Sequence, residues 1–117
     1  MTNNKRLYSL TQIYEMEKAD ESFILTVINI FLEFVPANAN ELVASCAKKD
    51  WDAVYFIAHK MKANVNLLDI EIIKEDIRLI EHSSKTRTGL NQLTDKVKLV
   101  NNAIQQAARE MKEDFNL

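Results

Sequence analysis

The sequence holds one glycine, one proline and one cysteine among 117 residues. Turn-rich β architectures depend on glycine and proline, so their scarcity argues against such folds and for long helices joined by short connections. A lone Cys46 excludes a disulfide within the chain and a cysteine-based structural zinc site built by one copy. It falls in an apolar helical stretch, where a buried and inert thiol is expected. Charge of one sign is lacking too: 15 basic and 17 acidic residues leave a net charge of −2. That balance offers no electrostatic footprint for nucleic acid or anionic membrane. Lys5 and Arg6 lie near the N-terminus, but no apolar run of signal-peptide length follows them. The most hydrophobic stretch, Phe23 to Val35, is interrupted by Thr26, Asn29 and Glu33 and is too short to span a bilayer. The expectation from these absences is a soluble cytoplasmic protein, or a soluble domain of a larger one.

What the chain does have is apolar content, 47% of its residues, arranged with helical spacing. The length suits one domain over residues 1–117. Ser9 followed by Gln12 reads as a capping box, with Tyr8 and Ile13 as its hydrophobic staple, opening a short helix from about Leu10 to Lys18. Asp20 can cap a second helix running through Phe23, Val27, Ile30, Phe31 and Phe34. Pro36 then ends or kinks it, and can serve as the first-turn residue of a continuation through Leu42 and Cys46. Asp50 caps the next helix, Trp51 to about Leu67. Asp69 caps another, with Ile70, Ile73, Ile77 and Ile80 on its buried face. Ser83 to Gly89 reads as the clearest loop. Beyond it Leu90, Leu93, Val97, Val100, Ile104, Ala107 and Met111 recur three and four apart along one long amphipathic helix. Its stripe of about three heptads fits packing within the chain better than a coiled-coil arm. The fold class expected is all-α: an antiparallel four-helix bundle with a short additional N-terminal helix.

Chemistry concentrates between Trp51 and Leu68. At about 100° per residue, Val54, Ala58, Met61, Val65 and Leu68 form the core stripe, and His59 falls roughly opposite its middle. Its neighbours on that face are Tyr55, Lys62, Ala63 and Asn66. A satisfied core histidine is therefore disfavoured, while an ordinary exposed histidine and a reactive one both remain open. Tyr55, Phe56 and Ala63 surround the imidazole with apolar and small groups, as a docking surface requires. A neutral imidazole is a competent nucleophile near neutral pH. Lys62, one turn away, is placed to neutralise phosphoryl oxygens held on it. Asn66 can hydrogen-bond to a phosphoryl group or a docked partner, or simply fill helix surface. Lys60 faces elsewhere as a solubilising charge. His82 sits near a helix end, where a histidine meets the last carbonyls or solvent. With two histidines and no carboxylate at a convincing spacing to both, no metal site is expected.

The stretch Ala58-His59-Lys60-Met61-Lys62-Ala63, continuing to Leu67-Leu68, resembles the signature of the histidine-containing phosphotransfer (HPt) domain family of two-component phosphorelays. That pattern reads Ala-His-x-Leu-Lys-Gly, then polar or small residues and an apolar pair. Here Met61 replaces leucine and Ala63 replaces glycine, and Asp69 stands where a glycine often follows the pair. Phe31, the Pro36 break, Leu42 and the Asp50 turn are also similar to the family, so the resemblance covers roughly Leu10 to His82. It implies that His59 is phosphorylated through Nε2 and that Lys62 contacts the phosphoryl group. It also implies that a Glu or Gln on the following helix orients the histidine through Nδ1. Glu81 stands at that spacing; a solvated charge near a helix end is the alternative, and the sequence leaves both open.

The resemblance implies a monomeric phosphocarrier with no cofactor of its own. It would exchange phosphoryl groups with receiver domains of response regulators and hybrid histidine kinases, the magnesium belonging to the receiver. No glycine-rich phosphate loop is present, so an autonomous ATP-dependent kinase is not expected. Two rivals differ in kind. One is a helical adaptor that binds a protein through Tyr55 and Phe56, with His59 incidental. The other is a chemotaxis-kinase-like phosphoacceptor domain, which shares the site and differs in its donor.

Overall fold

A computed structural model describes residues 6–17 and 19–117. Its helices are α1 (Thr11–Tyr14), α2 (Glu21–Ala47), α3 (Trp51–Leu67), α4 (Glu71–Thr86) and α5 (Leu93–Phe115), with a 3₁₀ turn over Leu90–Gln92 leading into α5. The connections between the four long helices are short, which makes sequential neighbours antiparallel. Packing runs around a ring, α2 on α3, α3 on α4, α4 on α5 and α5 back on α2. This is the expected four-helix bundle with a short leading helix. The leading helix is shorter than expected, ending at Tyr14 and not near Lys18, a residue that itself lies outside the described ones.

Helix α2 departs most from the sequence expectation. It continues through Pro36 as one 27-residue helix, and its buried stripe is Ile24, Ile28, Phe31, Val35, Ala39, Leu42 and Cys46. Phe23, Ile30 and Phe34 are exposed and Val27 is half-buried. The run is apolar on every side, so two stripes compete for the core. The expected one meets Asn38 and Glu41 when extended by four and seven residues past Phe34, whereas the observed one stays apolar to Cys46. An interior proline costs about 3 kcal/mol, and burial of several large side chains at about 1.5–3 kcal/mol each outweighs it. The Pro36 carbonyl accepts a bond of 3.0 Å from Gln105 Nε2 on α5. At this length α2 is long and apolar enough to cross a bilayer by composition. One face of it is nonetheless spent on the core of the bundle.

The caps divide similarly. Asp20 accepts from the Phe23 N–H at 2.8 Å and Asp50 from the Ala53 N–H at 3.2 Å, both as expected. The capping box at Ser9 does not form. Gln12 instead donates to the Asn66 carbonyl (3.0 Å), and the Ser9 N–H donates to Leu68 O (2.8 Å), tying the N-terminal segment to the end of α3. Tyr8 and Ile13 are both buried in the common core. Asp69 is not the cap of α4, whose N-cap is Ile70 without a side-chain bond. Asp69 takes φ +51°, the left-handed residue that closes α3, while Ile70 N–H bonds to Val65 O and Asp69 N–H to Asn66 O. Its carboxylate is taken by Lys74, whose hydrogen bond holds the Asp69 carboxyl below its ordinary value.

The expected loop Ser83–Gly89 shrinks to Arg87–Gly89, because α4 runs on to Thr86. Serine and threonine stay in the helix by returning their hydroxyls to its own carbonyls. Buried Ser84 donates to Ile80 O (2.6 Å), and Thr86 to His82 O (2.9 Å). This extra turn carries Lys85 onto the same helix face as Glu81.

Candidate functional site

Helix α3 presents its core stripe as the sequence predicts: Val54, Ala58, Met61, Val65 and Leu68 are buried, joined by Ile57. His59 is thereby turned outward, its side chain 56% exposed. Phe56, Ala63 and Asn66 lie exposed on the same helix, and Tyr55 is half-buried. Phe56 is the most open large apolar side chain of α3, at 67%. Lys60 and His82 are exposed as well.

Glu81 reaches across from α4. Ile77 and Ile80 anchor that helix in the core, which sets Glu81 beside the groove between α3 and α4 with only 14% of its side chain exposed. One carboxylate oxygen, Oε2, lies 2.5 Å from His59 Nδ1, and the other, Oε1, accepts from Lys62 Nζ at 2.9 Å. Burial alone would raise the Glu81 carboxyl. The hydrogen bonds from Lys62 and His59 and their positive charge outweigh that and hold it below the ordinary carboxylate value. Glu81 is therefore ionised at neutral pH and can only accept hydrogen bonds. The proton between the pair consequently resides on Nδ1, and in the neutral imidazole the free lone pair is on Nε2.

Lys62 lies one turn from the imidazole on the same helix and is half-buried. Its ammonium is bonded to Glu81, so it balances the carboxylate charge one atom chain away from the ring. The local charge of the Glu81–Lys62 pair is close to zero.

Two further side chains complete the arrangement. The Tyr55 ring stacks on the His59 imidazole, with centroids 5.8 Å apart and planes 22° from parallel, and meets Phe56 edge-on at 6.3 Å. Lys85 of α4 holds its Nζ 5.9 Å from the centre of the Tyr55 ring. A shallow cleft of about 300 Å³ beside the histidine is lined by Tyr55, Arg78, Glu81, His82 and Lys85. Lys85 escapes a reading of the sequence that ends α4 before Ser83, whereas Arg78 lies inside the helix as read. Their signal is spacing: three before and four after Glu81, both fall on its helix face.

Among the described residues no group of three or more His, Cys, Asp or Glu side chains is gathered to hold a metal ion. Comparison with models of known protein families, with curated proteins and with solved structures finds no match to this chain. The functional reading rests on the site itself: a more than half-exposed imidazole whose Nδ1 is bonded to a largely buried, ionised carboxylate.

Proposed function

We propose that this chain is a histidine phosphotransfer module of the HPt kind, carrying a phosphoryl group on His59 between receiver domains of a two-component phosphorelay. The observation that carries the proposal is the hydrogen bond that the Nδ1 edge of the exposed His59 makes to Glu81, which in the neutral ring assigns the lone pair to Nε2. In the transfer, Nε2 attacks the phosphorus of an aspartyl phosphate in line. The P–Nε2 bond forms as the P–O bond breaks, and the aspartate carboxylate of the donor leaves. The ring acquires positive charge, and Glu81 stabilises it through the retained Nδ1–H. Lys62, bonded to the same carboxylate as the ring, turns from Glu81 toward the phosphoryl oxygens as charge gathers there. The return step reverses the same geometry onto the acceptor's aspartate. The magnesium ion and the remaining cations of the reaction belong to the receiver, so the chain acts as a carrier and not as an autonomous kinase. Tyr55, Phe56, Ala63 and Asn66 form the surface on which the receiver docks, with the module acting as a monomer in the cytoplasm, where such receivers work.

The test is to mix the protein with a phosphorylated receiver domain and follow acid-labile phosphate on this chain. Rapid labelling of the wild type, abolished in His59→Gln without loss of receiver binding, is the expected result. Binding without labelling across a panel of receivers supports the alternative instead: an adaptor that uses the exposed Phe56 face, with His59 a surface residue.

A further inference from the structure

A single hydrogen bond does not fix a ring. The hydrogen bond that Nδ1 donates to Glu81 holds one edge of the imidazole, but the ring can still rock about that bond and swing Nε2 out of line. Rocking is blocked only by something lying against the ring face. In this structure that something is Tyr55, one helical turn before His59 on α3, stacked within 22° of parallel. Tyr55 is itself bracketed. Phe56 meets it edge-on at 71°, and the Lys85 ammonium approaches its face from α4. Offset aromatic pairs with centroids 4.5–7 Å apart are attractive beyond the area they bury. The attraction grows when one ring becomes electron-poor, because the negative face of tyrosine favours a cation.

Resting on the reading of His59 as phosphoacceptor, we propose that Tyr55 is a positioning residue that holds the imidazole plane so that Nε2 stays aimed at solvent. It favours the charged ring formed on phosphorylation over the neutral one, and Lys85 steadies Tyr55 from the opposite helix. The tyrosine does not touch the transferred group. It acts through the ring it stacks on, so its contribution should survive when the phosphoryl donor is too small to dock. The aromatic face is what matters, and the hydroxyl is dispensable.

The experiment uses phosphoramidate as the donor, so that no partner surface is involved. Nε2 attacks phosphorus, the P–Nε2 bond forms, and the donor P–N bond breaks with release of ammonia. Tyr55→Leu should slow labelling of His59 by about three- to tenfold, the range that the energy of one stacked pair implies. Tyr55→Phe should restore the wild-type rate. Both variants should melt as cooperatively as the wild type. Independently of any variant, nuclear Overhauser contacts between the Tyr55 ring protons and the His59 ring protons should be present in the wild-type protein. Equal rates for Tyr55→Leu and wild type, or no ring-to-ring contacts, overturn the proposal while leaving His59 as the phosphoacceptor. Failure of the wild type to accept phosphoryl from phosphoramidate or from a receiver overturns both.

Discussion

Two places in this bundle combine a carboxylate, a cation and an aromatic ring, and they end up with opposite characters. At the α3–α4 groove, Glu81 bonds Lys62 and the Nδ1 edge of His59. At the far end of α5, Glu110 accepts from the Leu7 N–H (2.8 Å) and Gln106 (3.2 Å), while Asp114 is taken by the Tyr8 hydroxyl and by Arg6 at 2.7 Å. The carboxylates at the second place are bonded by a backbone N–H, an amide, a phenol and a guanidinium, none of which has a second ring nitrogen to offer as a nucleophile. The cluster sews the N-terminal segment to α5. At the first place one partner is a histidine, more than half exposed, which has a second ring nitrogen. The comparison teaches that a structural clamp and a candidate reactive site can share their ingredients. The difference is whether the bonded group retains an unused, titratable edge.

Breaking each place should therefore have separable consequences. The largest effect is expected from Glu81→Ala, which removes the group that orients His59. Phosphoryl transfer should fall by about ten- to a hundredfold, the size found when the partner orienting a functional histidine is lost. Glu81→Gln, which keeps an acceptor oxygen, should lose less. Receiver-dependent labelling rates measure both, and an unchanged rate in Glu81→Ala would make the bond incidental. Next comes Tyr8→Phe at the clamp. It should lower unfolding free energy by about 1.5–3 kcal/mol, as expected for a hydrogen bond to a charged acceptor, and leave the labelling rate untouched. Denaturant titration and the same labelling assay check the two halves of that statement.

The smallest effects are in pH, where the two places should fail at opposite ends of the scale. The Glu81 carboxyl is lowered in the folded state, since its bonds outweigh its burial. Its stabilising contribution is present above the unfolded value of about 4.3 and is lost as pH falls through the lower folded value. Wild type should thus lose more melting temperature than Glu81→Gln between about pH 5 and pH 3. The Tyr8 hydroxyl is raised instead, by burial first and then by its bond to Asp114. Its contribution is full below the unfolded value of about 10 and is lost as pH rises toward the folded one. Only the wild type, and not Tyr8→Phe, should show that alkaline loss.

Much of this architecture is legible in the sequence where one physical signal dominates. The α3 stripe is unambiguous because polar residues alternate with apolar ones, so the outward direction of His59 follows from spacing alone. Asp20 and Asp50 cap as read because each directly precedes a helix start. Legibility fails where two signals compete. In α2 both possible stripes are apolar locally, and only continuation past Pro36 to Ala39, Leu42 and Cys46 decides between them. At Asp69 a cap residue and a left-handed helix stop look alike, and the need to reverse the chain within three residues selects the stop. At Ser83–Thr86 a polar run reads as loop, yet its hydroxyls bond back to the helix. That last misreading matters for function, since it hides Lys85 from the face that Glu81 occupies. Spacing puts Tyr55 on the His59 face of α3, but the near-parallel setting of the two rings is a matter of rotamer, and the capture of Lys62 by Glu81 depends on rotamers chosen across the α3–α4 groove.

The central claim is that Glu81 keeps the proton on Nδ1 and thereby dedicates Nε2 of His59 to phosphoryl transfer. It is tested most directly by phosphorylating the ¹⁵N-labelled protein from a receiver and reading which ring nitrogen bears phosphorus. The account predicts a single species with phosphorus on Nε2 of His59 and a proton retained on Nδ1. Phosphorus on Nδ1, on His82, or on neither histidine would contradict it.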